Sequence, residues 1–399
     1  MIEQALEIDI LKNLSLDMHQ GINTVTENVE YLESGIPILQ SKHITKGFLN
    51  LEDTKYLSEK DYLKYKDKYQ ANIDDVLVCN IGTIGKSLRI DKAEKFLIAW
   101  NLFLIKLDNT KLYSQYFAHY LNHLSDQNYF DKFLTGGTVK FINKKTMGNI
   151  QVPILPLLQQ QKIASILDAA DALRQNDKAL IAKYDELTQA LFLDMFGDPV
   201  SNPKECKIVE LGDICSKITD GVHAKPEYTE TGVPFISVKD ITTGALKFEK
   251  CKYISEEAHV KYFKRCNPEY LDILYTKVGA TYGRPAIVDI KDEFSLYVSV
   301  ALIKPKKDII NPYFLKEVMG NPVIKRQADK SIKGIGVPDL HLNMIKKFLL
   351  PLPPMDTQIL FSERVGKIEE QRAIAQKSLE HSESLFNSLL QKAFKGELI

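Results

Sequence analysis

The sequence predicts a mixed α/β chain written twice, each copy an α/β domain followed by one long helix. Three observations carry this prediction. The second half repeats the first at an offset of 197 or 198 positions. Each copy opens with short β-like runs broken by Gly, Pro and polar clusters. Each closes with about 40 residues almost free of Gly and Pro. A period this long is far beyond a solenoid repeat, so each copy is expected to hold its own core. Two copies of one fold in a chain favour a pseudo-twofold arrangement, as in a homodimer.

The repeat is legible residue by residue. YLESGIPILQSKHITKGFL from Tyr31 lies over YTETGVPFISVKDITTGAL from Tyr228, bringing Gly35 to Gly232, Pro37 to Pro234 and Lys42 to Lys239. DVLVCNIGTIGK from Asp75 lies over DILYTKVGATYGR from Asp272, with one residue inserted in the second copy. Tyr116-Phe117 meets Tyr313-Phe314, and IQVPILPLLQQQ from Ile150 meets FLLPLPPMDTQI from Phe348. The ends match as well, ALFLDMFGD from Ala190 over SLLQKAFKGE from Ser388.

Within each copy the elements follow from local pattern. The runs IPILQ, VLVCNI and WNLFLIKL, and VPFISV, DILYTKV and LYVSVALIKP, predict strands of a predominantly antiparallel or mixed sheet. SQYFAHYLNHL and NPYFLKEVMG predict interrupting helices. Pro153 and Pro156, and Pro351, Pro353 and Pro354, mark a stiff hinge before each long helix. Heptad spacing follows: Ile163, Ile166, Ala170, Leu173, Asp177, Leu180, Tyr184, Leu187 and Leu191 in the first helix. The second gives Val365, Ile368, Arg372, Ala375, Leu379, Ser382, Phe386 and Leu389. A helix of this length is roughly 60 Å long, more than a small domain needs, so the two seams are expected to pack on each other. The chain thus divides into domains at 1–155 and 198–353, with helices at 156–197 and 354–399.

Composition narrows the function. Apolar residues make 44% and charged residues 26% of the chain, a globular balance that excludes disordered and collagen-like classes. Lys plus Arg and Asp plus Glu are 52 each, so any nucleic-acid surface must be a local basic face. MIEQALEIDILKNL has no basic stretch leading into an apolar core, so no signal peptide is expected. No run approaches the roughly 18 apolar residues of a membrane span. Five scattered cysteines without a CxxC pair fit a reducing cytoplasm and offer neither zinc site nor disulfide frame.

Catalytic motifs are weak. GTIGKS at Gly82 resembles the end of a phosphate-binding loop, but Asn80 stands where its first Gly belongs. Asn311-Pro312-Tyr313-Phe314 comes near a methyltransferase signature but lacks its second Pro, and no Gly-rich fingerprint for a methyl donor accompanies it. His119 and His123 stand at i and i+4 without further ligands, so no metal is expected. No nucleophile set or catalytic carboxylate pair stands out.

The chemistry that remains is polar and basic and falls on turns. Gln40, Ser41, Lys42 and His43 follow the first strand, and Ser237, Lys239 and Asp240 take the matching place. A Gly turn carries Thr83 and Lys86, answered by Thr281, Tyr282 and Arg284. Gly137, Thr138 and Lys140 are answered by Lys333 and Gly336. Such side chains suit base edges and phosphates, and Gly admits a close backbone approach. Each cluster alone also fits an ordinary solvated turn. A retained framework with changed side chains is expected of two modules reading different targets.

At this point the chain resembles the specificity subunit of type I restriction–modification systems, over all 399 residues. The resemblance rests on IPILQSKHIT and VPFISVKDIT and on the turns GTIGK and GATYGR. It rests further on the joins IQVPILPLLQQQKIASILDAAD and LLPLPPMDTQILFSERVGKIEE, and on the helix ends ALFLDMFGD and LLQKAFKGEL. The family's join usually reads Glu-Gln, whereas here it reads Gln159-Gln160 and Thr357-Gln358. The resemblance implies two target-recognition domains, each reading half of a bipartite site in double-stranded DNA. It implies an antiparallel coiled coil that sets the gap and docks two modification (methyltransferase) subunits, with restriction and translocation subunits completing the complex. S-adenosylmethionine, ATP and Mg are implied for those partners only, and this chain is expected to be non-catalytic. Two other readings remain at this point, a coiled-coil adaptor for proteins alone and a self-contained restriction or methylation enzyme.

Overall fold

A computed structural model describes residues 7–137, 139–332 and 338–398. The chain divides into two units, one of Met1–Asp177 with Ser378–Ile399 and the other of Lys178–Lys377.

The first unit begins with β1 (Glu7–Ile10), the short helix α1 (Leu11–Leu14), β2 (Ser15–Gln20), β3 (Ile36–Leu39) and β4 (Lys55–Leu57). It continues through α2 (Glu59–Tyr69), β5 (Val76–Cys79), β6 (Ser87–Arg89), β7 (Leu97–Ile98) and β8 (Leu102–Leu107). Helices α3 (Ser114–Asp126) and α4 (Lys144–Gly148) and strand β9 (Gln151–Ile154) lead into the long helix α5 (Leu157–Phe196). An antiparallel sheet of order β2-β8-β5-β6 forms the middle layer. A smaller sheet of order β4-β3-β7 is mixed, since β3 runs parallel to β7. Strand β1 pairs with β9 and ties the start of the unit to the entry of α5.

The apolar runs of β5 and β8 are continuous because both faces of the middle sheet are covered. Val76, Val78, Phe103 and Ile105 face a core shared with α3 and α5, while Leu77, Cys79, Leu102 and Leu104 face the small sheet and α2. This is the period-two alternation of a strand buried on both sides.

The second unit repeats the plan with β10 (Ile208–Glu210), β11 (Cys215–Asp220), β12 (Val233–Ile236), β13 (Lys252–Ile254) and α6 (Glu256–Phe263). Strands β14 (Ile273–Thr276), β15 (Pro285–Ile287), β16 (Ser295–Leu296) and β17 (Val300–Pro305) follow, then α7 (Pro312–Gly320), α8 (Pro322–Ser331) and α9 (Leu342–Lys346). The unit ends in β18 (Leu349–Pro351) and α10 (Met355–Lys395). Sheet orders β11-β17-β14-β15 and β13-β12-β16 and the pair β10-β18 reproduce the first unit strand for strand. The duplicated mixed α/β architecture predicted from sequence is therefore the one observed.

Both long helices contribute to both units. In the first, Ile163, Ala164, Leu167 and Ala170 of α5 share a core with Phe386, Leu390 and Ala393 of α10. Asp177 accepts a 2.8 Å hydrogen bond from the Ser382 hydroxyl, and the Arg174 guanidinium lies 4.2 Å from the Phe386 ring centre. In the second, Phe192 and Phe196 pack with Phe361, and Arg372 donates to Asp185 at 2.7 Å. In each unit the α5 number rises as the α10 number falls, so the pairing is antiparallel.

The α10 seam lies where its heptads place it: Val365, Ala375, Ser382 and Phe386 are buried, and Ile368, Arg372, Leu379 and Leu389 half-buried. The α5 seam differs at every second position. Ile163 and Ala170 are buried, and Asp177, Tyr184 and Leu191 half-buried, as the heptads require. Leu167 is buried, while Ile166 is only half-buried. Leu173, Leu180 and Leu187 are 54%, 40% and 49% exposed, and the partly buried positions are Arg174, Ile181 and Thr188. The spacing alternates four then three rather than three then four, so the intervening positions move by one residue.

Candidate nucleic-acid interface

The turn after β3 is held from inside. His43 is 1% exposed, and its Nδ1 accepts the Gln40 backbone N–H at 2.8 Å. Burial, aided by neighbouring Lys42, holds the His43 imidazole below its ordinary pKa, so the ring stays neutral at neutral pH. The buried Ser41 hydroxyl donates to the carbonyls of Asn101 (2.9 Å) and Ile81 (3.3 Å). Ser41 and His43, expected from sequence to face DNA, are thus internal pins of this turn. Lys42 remains exposed and donates to the Asp53 carbonyl at 2.7 Å. In the second unit Ser237 donates through both its backbone N–H and its hydroxyl to Asp240, which occupies both side chains, and Lys239 is exposed.

Both Gly turns open and close on glycines of positive φ, the second turn being one residue longer. Gly82 and Gly85 sit at φ +80° and +86°, Gly279 and Gly283 at +89° and +85°, the left-handed region that glycine occupies without strain. Gly82 and Gly279 stand in open space, with no atom beyond their chain neighbours within 4 Å of the point a β-carbon would occupy, whereas a β-carbon at Gly85 would stand 2.1 Å from the Phe130 ring. Thr83 is exposed beside Lys86, which forms an ion pair with Asp126. Around them opens a cleft of about 700 Å³ that also takes in Asn128 and Lys140. Lys140 and exposed Gly137 belong to a hairpin closed by reciprocal bonds between Thr135 and Phe141. The structure therefore brings Thr83, Lys86 and Lys140 to one cleft.

In the second unit the matching cation points elsewhere. Arg284 donates to the Thr242 carbonyl and borders a cleft of about 950 Å³ shared with Lys325 and Arg372. Thr281 is half-exposed, and Tyr282 donates to Asp329 beneath the Lys325 amine. Thr138, Lys333 and Gly336 lie outside the described residues.

Two features escaped the sequence reading. Gln160 and Gln358 of the family-like join are 0% and 1% exposed. Gln160 accepts from the Tyr113 N–H (2.8 Å) and donates to the carbonyls of Lys111 (2.9 Å) and Leu155 (2.8 Å). Gln358 does the same with Asn311, Ile309 and Pro353. An amide with both ends used is the only side-chain type that meets one donor and two acceptors here, whatever precedes it. The second feature is a buried charge set at the end of β11. Asp220, with its side chain 4% exposed, meets Arg265 at 2.7 Å, His223 at 3.3 Å and Lys277 at 3.6 Å.

Among the described residues no three His, Cys, Asp or Glu side chains approach one another as metal ligands would. His119 lies 2.7 Å from Asp168, and His123 3.1 Å from Gln127, so the two rings look to different partners. Burial pushes the Cys215 and Cys266 thiols up to about 12, leaving them protonated and unreactive at neutral pH. No helix among the described residues is long and apolar enough to cross a membrane.

A duplicated α/β module with polar turns and long helical partners defines a class of protein, and comparison with known sequences identifies it. The family described as Type I restriction modification DNA specificity domain matches residues 7–183 and again 203–381. The chain belongs to that family and carries two copies of its domain. It is 25% identical over 402 residues to the Type I restriction enzyme EcoBI specificity subunit of Escherichia coli, covering 92% of this chain and 81% of the relative. It is 22% identical to the MjaVIII specificity subunit of Methanocaldococcus jannaschii, over 93% and 91% of the two chains. In structure it is similar to the S subunit of the type I restriction-modification system of M. genitalium, with TM-score 0.59, 16% identity and coverage of 99% and 98%.

Proposed function

We propose that this chain is the non-catalytic DNA sequence-specificity subunit of a type I restriction–modification complex. Each unit reads one half of a bipartite site in double-stranded DNA. The long helices fix the gap and dock two modification subunits, with restriction and translocation subunits completing the assembly. The observation that carries this reading is the family match occurring twice, on two units of one topology whose turn side chains differ. S-adenosylmethionine, ATP and Mg enter through the partner subunits, and the working compartment is the cytoplasm.

The test is co-expression with a type I modification subunit from the same host, followed by mapping of methylated adenines across the genome. A split motif with a constant gap is expected, and exchange of residues 1–155 for those of another specificity subunit should change one half only. A single continuous motif, or no methylation, would favour the protein-only adaptor.

The cleft in the first unit makes a second prediction. Lys140→Ala in the assembled complex is expected to weaken binding to every duplex alike. The slope of log affinity against log salt should flatten by about 0.9, the contribution of one neutralised phosphate. Filter binding between low and moderate salt measures it; a changed base preference with an unchanged slope would assign Lys140 to base reading instead.

A further inference from the structure

The two units share their strands but differ in charge where the middle sheet ends beside the Gly turn. In the first unit that place holds neutral side chains, Gln20 at the end of β2 and Asn80 after β5. By strand register their counterparts are Asp220 and Lys277: Gln20 pairs with Phe103 and Asp220 with Ala301, equivalent positions of β8 and β17. A carboxylate and an ammonium, both nearly out of contact with water, stand where the first unit has an exposed Gln20 and a buried Asn80.

Burying such a pair is costly unless the charges are satisfied. Lys277 lies 3.6 Å from Asp220 and 3.4 Å from Asp339, so its one charge is shared between two carboxylates. Arg265 supplies the second cation. Its side chain is 55% exposed, yet its Nη2 donates to Asp220 at 2.7 Å. The same Nη2 lies 3.4 Å from His223 Nε2, so Asp220 and His223 hold the guanidinium at that one nitrogen. Beside it opens a cleft of about 320 Å³ bordered by Gly221, Val222 and Ala224, where small residues leave room for a planar group. Lys277 stands two residues before Gly279, so this arginine lies on the same edge of the unit as the Gly turn.

We propose that Arg265, held by Asp220, reads a guanine in the half-site engaged by the second unit. A guanidinium held at Nη2 keeps its remaining N–H donors for guanine O6 and N7, and a preset rotamer lowers the entropy lost on binding. The corresponding residue of the first unit, Lys68, lies over the Tyr69 ring instead, 5.0 Å from its centre. The first unit therefore makes no such reading, and the two half-sites differ at this position. The inference rests on the chain being the DNA-reading subunit proposed above.

The experiment compares methylation motifs of the complex carrying parent chain, Arg265→Gln or Arg265→Lys, using the host genome as the pool of sites. In the parent, one half should require G·C at one position. Both variants should lose that requirement about ten- to a hundredfold, with the other half and the gap unchanged. Arg265→Lys keeps a cation for Asp220, so it decides the matter should Arg265→Gln fail to fold. Unchanged motifs in variants that methylate normally would overturn the inference alone. Uniformly weaker methylation with the motif intact would overturn it too, making Arg265 a phosphate contact. Absence of any split motif in the parent would remove the DNA-reading function itself.

Discussion

Gly221→Ala is expected to destabilise the second unit by about 3–5 kcal/mol, a large share of the roughly 5–15 kcal/mol that holds a typical domain together. At Gly221 the chain leaves the middle sheet and joins the small one. Its N–H bonds to the Val300 carbonyl, and the next N–H, of Val222, bonds to the Leu296 carbonyl. A β-carbon at Gly221 would stand 2.0 Å from the Leu296 carbonyl oxygen and 2.6 Å from the Tyr297 carbonyl carbon, both backbone atoms. Relief would require the two sheets to separate, since no flexible side chain can give way. Gly21 makes the same crossing in the first unit, 2.3 Å from the Ala99 oxygen, and should behave alike. The control is Gly366→Ala, inside α10 with no atom within 4 Å, where alanine should add about 0.5–1 kcal/mol. Urea unfolding of the full chain reads both. A Gly221→Ala midpoint equal to the parent's would mean that the crossing is far looser than its geometry.

Gln160→Ala should cost about 3–5 kcal/mol by a different route. The substitution leaves the Tyr113 N–H and the carbonyls of Lys111 and Leu155 without their partner in a place water does not reach. An unmet buried group costs about 1–3 kcal/mol, and a cavity is added. Glutamate is no remedy: it still accepts from Tyr113 but turns charge upon two carbonyl oxygens. Gln358→Ala should be comparable in the second unit. Thermal unfolding measures both, and a shift of a degree or less in either would show that the three bonds are replaceable by water. The result would also explain why the join tolerates Gln or Thr before this residue. The preceding side chain is outside the network.

How much of this was legible in the sequence depends on the kind of constraint. Strands, Gly turns and domain repeats were legible because they impose residue types at fixed offsets: alternating apolar faces in VLVCNI, and glycine where φ is positive. The phase of α5 was not. Apolar residues stand at adjacent positions in Ile166 with Leu167 and Leu180 with Ile181, while Leu173 and Leu187 stand beside polar Arg174 and Thr188, so the apolar pattern favours the other phase. The phase is set by partners on α10, where Phe386 lies under the Arg174 guanidinium and Ser382 bonds to Asp177. Ser41 and His43 were misread for a related reason. A polar residue on a turn reads as exposed, yet backbone groups of Asn101 and Gln40, distant or local, draw these two inward. The Asp220 set left no local mark, since its members lie on four separate segments. Only comparison of Gln20 with Asp220 and Asn80 with Lys277, across the aligned copies, exposes the change.

The way each unit borrows from both long helices also decides the order in which the chain becomes complete. Phe386, Leu390 and Ala393 close the core that begins at Leu11. Synthesis proceeds at about 5–20 residues per second, so some 200 residues and roughly 10–40 s separate Asp177 from Ser378. During that interval the apolar face of Ile163, Leu167 and Ala170 lacks the α10 side chains that cover it. The second unit, by contrast, is continuous from Lys178 to Lys377 and has every core residue before the first does. The part made first is thus finished last.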